Sequence, residues 1–318
     1  MSSQELYAAL RRFDEEYIPF PPFIAAVHLI EAHLKLFRET GIAQNLLVLG
    51  ESGAGKSSLC KWLAQKYPRR VLPDRDVLPV LVVPIPPAAT IASMVEVMLT
   101  ALGDQASSAG TASSKTMRAA TLCRACRVEI ILFDEAQHLY DRGLATTHYM
   151  VADWIKSFID QTGTPTVFLG LPRLEQLLQV NEQLRRRFSR RIRLALGQSE
   201  SSTIHNECLQ LFISLGACLP VPLSCGDFSW EELGMRIYYA SDGRVAYIKK
   251  ILTRALARAI ETESNTIGPE QLEKAFTEEI WWEGVVHHNP FNPLFEFRRL
   301  DRGNEPFELG AIRSRKAR

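Results

Sequence analysis

The sequence predicts an α/β fold: a parallel five-stranded sheet between helices, followed by a small α-helical domain. Three observations predict it. Between residues 23 and 198, short apolar runs alternate with segments of helical spacing, the pattern of a parallel sheet covered on both faces. One run, Leu46–Leu49, opens directly into Gly50-Glu51-Ser52-Gly53-Ala54-Gly55-Lys56-Ser57, which fits G-x-x-x-x-G-K-[ST]. Beyond residue 200 the strand-like runs vanish and helical spacing takes over.

Composition sets the outer bounds. Hydrophobic residues make up 46% and charged residues 23% of 318, so the chain can bury an ordinary core and is not globally disordered. The net charge of +1 names no partner, but its distribution is uneven. Seven Arg against two Glu lie between Arg173 and Arg193, and Arg313, Arg315, Lys316 and Arg318 end the chain without an acid. Such patches suit phosphate-rich partners or a solvated face equally well. No run reaches the ~18 apolar residues that a membrane span needs. The first five residues lack the basic and apolar parts of a secretory leader. Six scattered cysteines fit a reducing cytoplasm, the expected location.

In order, residues 1–22 read as an N-terminal extension with one short helix and a proline-stiffened lead-in, Tyr17-Ile18-Pro19-Phe20-Pro21-Pro22. Phe23, Val27, Ile30, Leu34 and Phe37 share one helix face, which Gly41 ends. Leu46–Leu49 is the first strand, and Ser58–Tyr67 reads as the helix after it. Val80–Val83 is the second strand, and Ile91–Leu102 a helix. Gly103 to Thr116 is rich in Gly, Ser, Ala and Thr and reads as a mobile surface loop. Ile130–Phe133 is a third strand running into Asp134 and Glu135. His138–His148 reads as a loop, Met150–Phe158 as a helix, Thr166–Gly170 as the fourth strand and Ile192–Leu196 as the fifth. Residues 23–198 thus form the α/β domain, 199–282 the helical domain, and 283–318 a tail that is extended or folds on a partner; the aromatics Trp281, Trp282, Phe291, Phe295 and Phe297 either anchor a partner or pack on the helical domain.

The glycine-rich stretch carries the chemistry. A strand, a glycine loop and a helix N-terminus turn backbone N–H groups onto phosphate oxygens, and the helix dipole favours their charge. Residues Gly50 to Ser57, with Ser58, are therefore the candidate nucleotide cradle; Lys56 reaches the β- and γ-phosphates and Ser57 ligates magnesium. Asp134 is the second candidate magnesium ligand, and Glu135 is placed to polarise an attacking water. Cys123 and Cys126 have metal-ligand spacing but no second pair, so they read as a half-buried helix.

Taken together, this loop, Asp134-Glu135, the arginine cluster and the helical C-terminal domain resemble an AAA+ ATPase. More narrowly, the chain resembles the TniB family of transposition ATPases, related to TnsC and the phage Mu B protein. The residues that carry this are the Tyr17-Ile18-Pro19-Phe20-Pro21 lead-in, Asp134-Glu135-Ala136-Gln137-His138-Leu139, and Gly170-Leu171-Pro172. The resemblance implies ATP and Mg2+ as cofactors, and an arginine finger that reaches a neighbour's γ-phosphate. Arg187, just before Phe188, matches that position, with Arg186 and Arg190 as competitors. It implies that Arg244, in Ser241-Asp242-Gly243-Arg244, is the second-sensor arginine of a helical lid. A polar first-sensor residue belongs at the end of the fourth strand, where this chain has Gly170-Leu171, and Thr166 is early. The implied partners are duplex DNA, further copies of the chain in a ring or filament, and the transposase and target-selection protein of the same element. Loops lining a channel would bring Lys115, Arg118 and Arg142 to the DNA backbone. A replication loader, a secretion-linked ATPase or a nucleotide-gated scaffold with little turnover are the alternatives.

Overall fold

The computed structural model describes residues 3–15, 19–87, 90–141, 145–180, 182–198, 200 and 202–308. They fall into two units, one formed by residues 21–194 and one by residues 1–20 with 195–318. Helix α1 (Ser3–Glu15) belongs to the second.

The first unit begins with α2 (Pro21–Thr40). Its two prolines occupy the first turn, where a missing N–H costs no helical bond. Phe23, Ala26, Val27, Ile30 and Leu34 are buried along one face. Gly41 donates its N–H to the Phe37 carbonyl (2.8 Å) and closes the helix. There follow β1 (Leu46–Leu49), α3 (Lys56–Lys66), an antiparallel pair β2 (Arg70–Val71) and β3 (Asp76–Val77), then β4 (Val80–Pro84), α4 (Ile91–Leu102) and α5 (Ala112–Ala125). The remainder is β5 (Ile130–Asp134), α6 (His138–Asp141), α7 (Ala145–Thr162), β6 (Thr166–Gly170), α8 (Glu175–Val180), α9 (Glu182–Arg187) and β7 (Arg190–Arg193).

The five-stranded sheet has the order β4-β5-β6-β1-β7, with every pair parallel. β1, β5 and β6 are buried throughout, so their sequences are near-continuous apolar runs. Leu49 is level with Gly170 on one side and Arg193 on the other, and Pro84 is level with Asp134. This register gathers the loops after β1, β5 and β6 at one edge, where ligands of open parallel sheets bind. Beneath that edge Phe168 packs between Phe133 (5.1 Å) and Phe188 (4.9 Å).

Several local readings need correction. Residues 112–116 are helical, because the Thr111 side chain accepts from Ser114 N–H and caps α5. The preceding turns are tied down by Arg118, which bonds the Asp104 carboxylate and the Ala106 and Ala109 carbonyls. Residues 138–141 and those from 145 onward are helical rather than loop. The fifth strand is 190–193, with the ladder continued by Leu194 N–H to Leu49 O (2.7 Å). The apolar run that suggested 192–196 marks the buried Leu194 and Leu196 rather than the strand.

The second unit contains α10 (Ile204–Gly216), α11 (Trp230–Ser241), α12 (Val245–Glu261) and α13 (Pro269–Glu279), with α1 against α12. Thr203 and Ser229 cap α10 and α11 through their hydroxyls. Rather than being extended, the tail follows the packing reading of its aromatics and is folded onto this unit as far as residue 308. Phe291, Phe295, Leu300 and Phe307 are buried. Arg236 fastens the segment, donating to the Pro290 (2.6 Å) and Asn292 (2.7 Å) carbonyls. No described helix is long and apolar enough to cross a membrane.

Candidate active site

The loop from Gly50 to Gly55 turns the chain from β1 into α3. Gly55 stands at φ 95°, a left-handed conformation that an L side chain adopts only with strain. No side chain caps α3, and the N–H groups of its first turn point toward the loop. Lys56 is buried, and its ammonium donates to the carbonyls of Gly50 (2.8 Å) and Glu51 (3.0 Å). Ser57 and Ser52 are exposed, and Ser58 is half-buried. Ala54 N–H bonds Glu51 O (3.1 Å) and holds the loop's turn.

At the end of β5, Asp134 is buried and its Oδ1 accepts from Glu135 N–H (2.9 Å). Glu135 itself has φ 55°, rare for a residue with a Cβ and concentrated at functional sites. The conformation is held from both sides: Ala136 N–H reaches Leu169 O (2.9 Å), and His138 N–H reaches Glu135 O (3.0 Å). Cys60 of α3 links the two stretches. Burial pushes its thiol well above the usual range, Asp134 and Glu135 add to the rise, and Lys56 opposes it. The acids and the lysine therefore share one electrostatic neighbourhood.

Gln137, part of the Asp134–Leu139 box but given no role there, bridges this edge. Its side-chain amide donates to Glu135 Oε2 and accepts from Leu171 N–H (3.1 Å). Thr166 stands at the far end of β6, roughly 13 Å from Gly170 at strand rise. Its hydroxyl is spent on the Thr164 carbonyl (3.2 Å), and Asn45 Oδ1 accepts its N–H (2.9 Å).

The arginine cluster crowns α9. Arg187 is bonded bidentately to Asp160 of α7 (2.8 and 2.9 Å), and Arg186 to Glu182 (2.6 Å). Arg185 and Arg190 are exposed. The two described residues expected to face DNA are engaged within the unit. Lys115 is buried and paired with Glu96 (2.8 Å), and Arg118 is the clamp on residues 104–109. An ammonium so enclosed is not offered to a phosphate backbone, which corrects the expectation. Arg142 lies outside the described residues. Cys123 is buried, which pushes it up to about 12 and keeps it a thiol; no metal-binding cluster occurs among the described residues.

In the second unit, Arg244 precedes α12. It bonds Asp242 (2.9 Å) and lies near the rings of Tyr247 and Phe307. Arg299 binds the same carboxylate (2.7 and 2.8 Å).

The family described as bacterial TniB protein matches residues 11–195, more than half of the chain. The chain belongs to the TniB family. The match spans the sheet, the Gly50–Ser57 loop, Asp134-Glu135 and the arginine cluster of this TniB protein. No curated protein matches the sequence. Solved structures share the fold. The Aeropyrum pernix ORC2 protein, in ADPNP-ADP complexes, superposes with a TM-score of 0.60 at 13% identity, over 85% of this chain and 72% of that one. CDC6P from Pyrobaculum aerophilum gives 0.59 at 16% identity, over 86% and 71%. The A. pernix ORC1 protein in complex with DNA gives 0.53 at 15% identity, over 80% and 64%. The TniB chain therefore has the AAA+ ATPase fold.

Proposed function

We propose that the chain is an ATP-hydrolysing regulator of DNA transposition that assembles on duplex DNA. One observation carries the reading: at a single sheet edge lie an uncapped α3 N-terminus, a buried lysine and the Asp134-Glu135 pair. Triphosphate oxygens would accept from the N–H groups at the uncapped start of α3. Lys56 would exchange two neutral carbonyl acceptors for charged phosphate oxygens, a stronger hydrogen bond. The exposed Ser57 hydroxyl and the Asp134 carboxylate are hard oxygen donors that fit magnesium, which when bound would neutralise phosphate charge. Glu135 would accept the proton of a water whose oxygen bonds the γ-phosphorus. The bond to the bridging oxygen breaks, and ADP leaves with its electron pair.

The assembly part rests on the family and on the arginine cluster. A guanidinium from a neighbouring copy would complete the site, so that turnover depends on assembly, closed as a ring or continued as a filament. The DNA part rests on the family and on the ORC1 structure, which contains DNA. Transposase recruitment and dissolution of the assembly on hydrolysis follow from the same resemblance. Electron microscopy of the protein with duplex DNA and a non-hydrolysable ATP analogue tests it. Ordered rings or filaments on DNA are expected; monomers with no DNA bound at low salt would sink the reading. Phosphate release should rise with DNA, and Glu135→Gln should bind ATP yet persist on DNA. Release from DNA in ATP at the parent's rate would remove the timing role.

A further inference from the structure

The end of β6 lacks a polar side chain, yet the space there is filled by one. A Cβ built on Gly170 would stand 2.9 Å from Gln137 Oε1 and 2.8 Å from Leu174 Cδ2, closer than real Cβ contacts come. Gln137 is 2% exposed, and both ends of its amide are engaged. The orientation of that amide is fixed by its partners. Leu171 N–H can only donate, so the amide oxygen must face it; the amide nitrogen then faces a carboxylate that can only accept. One side chain therefore ties the strand end to Glu135.

We infer that Gln137 is the positioning residue for Glu135, supplied from the loop after β5 into space that Gly170 leaves open. This rests on the ATPase reading, in which Glu135 handles the attacking water. By holding Oε2, Gln137 fixes the carboxylate's rotation and leaves Oε1 for that water. The strained backbone at Glu135, φ 55°, adds to the constraint: the backbone aims the side chain and the amide stops it turning. Gly170 is a glycine because the amide of Gln137 occupies the place of its side chain. The link also makes the end of β6 and the water-polarising group move together. Both ends of the Gln137 amide are taken by protein groups, so its effect belongs to turnover and not to affinity.

The test uses the full-length chain. Gln137→Met keeps the length and the packing but removes both hydrogen bonds. Its kcat should fall about 10- to 100-fold, with KM and the Kd for a fluorescent ATP analogue within about 3-fold of the parent. Gln137→Glu keeps the acceptor for Leu171 N–H but sets an oxygen against Glu135, so it should not restore turnover. Parental kcat in Gln137→Met, or a loss of nucleotide affinity as large as the loss of rate, would overturn the assignment. A second readout needs no turnover. The Gln137 side-chain NH2 resonances, identified by their absence from Gln137→Met, should shift in Glu135→Ala; if they stay in place, the clamp does not exist. A parent chain that releases no phosphate with DNA present would sink the ATPase reading instead, while the resonance shift still reads the clamp.

Discussion

His33 shows how a single residue ties the α/β unit to pH. It sits on α2 with 1% of its surface exposed. Burial holds its pKa below the usual 6.5, the Arg190 guanidinium lowers it further, and a backbone contact at Gln44 opposes both. The unfolded chain therefore takes up this proton before the folded one does. The contribution of neutral His33 is fully present above about pH 6.5 and is lost as pH falls from there through the lower folded-state value. The unfolding midpoint should drop between pH 7.5 and 5.5, and His33→Leu should flatten that slope in a denaturant titration. An unchanged slope would remove His33 from the account. At this scale the sequence was legible where chemistry imposes a spacing, as in Gly50–Ser57 and Asp134-Glu135. The role of Gln137 was not legible: it stood in the Asp134–Leu139 box, but a lone Gln after paired acids has no spacing rule that assigns it a partner. The missing polar residue at Gly170-Leu171 was the other trace. Lys115 and Arg118 failed for the opposite reason. A basic residue beside a polar loop looks solvated until its acid, Glu96 or Asp104, is brought near by folding.

Among the elements, the sheet was readable because β1, β5 and β6 are buried on both faces and so had to be apolar throughout. The edge strand β7 was not, since its residues Arg190, Arg191 and Arg193 belong to an exposed edge protected by charge. The path of residues 284–308 was not legible, although packing of their aromatics on the helical domain was one reading, because those aromatics follow no helical or strand period. They are held by turns and by scattered buried side chains, Arg236 foremost, rather than by a regular ladder. Arg236 is 2% exposed, donates to two carbonyls of the segment and to Glu232, and lies over the rings of Phe228 (4.0 Å) and Phe297 (4.9 Å). Arg236→Ala should cost roughly 2–4 kcal/mol, because it strands two carbonyl acceptors and removes both cation–π contacts. Protease cleavage between residues 284 and 308 should rise in step. Stability and cleavage equal to the parent's would show that Phe291, Leu300 and Phe307 hold the segment without the arginine.

For the molecule as a whole, the open question is what a copy does with its arginine cluster before it meets another. Within one copy Arg187 is not idle. It is bonded to Asp160, a pair in which Arg187 is 28% and Asp160 52% exposed. A pair so exposed is worth no more than about 1 kcal/mol and weakens with salt. A γ-phosphate in a water-poor interface is a stronger acceptor for the same guanidinium. In the proposed assembly, Arg187 would therefore be parked on Asp160 in the single copy and transferred to the neighbour's nucleotide, and the parking free energy would oppose assembly. Asp160→Asn removes that opposition. It should lower the protein concentration for half-maximal DNA-stimulated phosphate release by up to about 5-fold, the equivalent of 1 kcal/mol. The gain should shrink at high salt, where the parent pair is already screened. Arg187→Ala should bind nucleotide normally and lose the DNA-stimulated rate at every concentration. If Arg187→Ala retains that rate while Arg185→Ala loses it, the exposed Arg185 is the finger and the Asp160 pair is only a brace between α7 and α9. If Asp160→Asn leaves the concentration dependence unmoved although Arg187→Ala is inactive, Arg187 reaches the phosphate without having been held back.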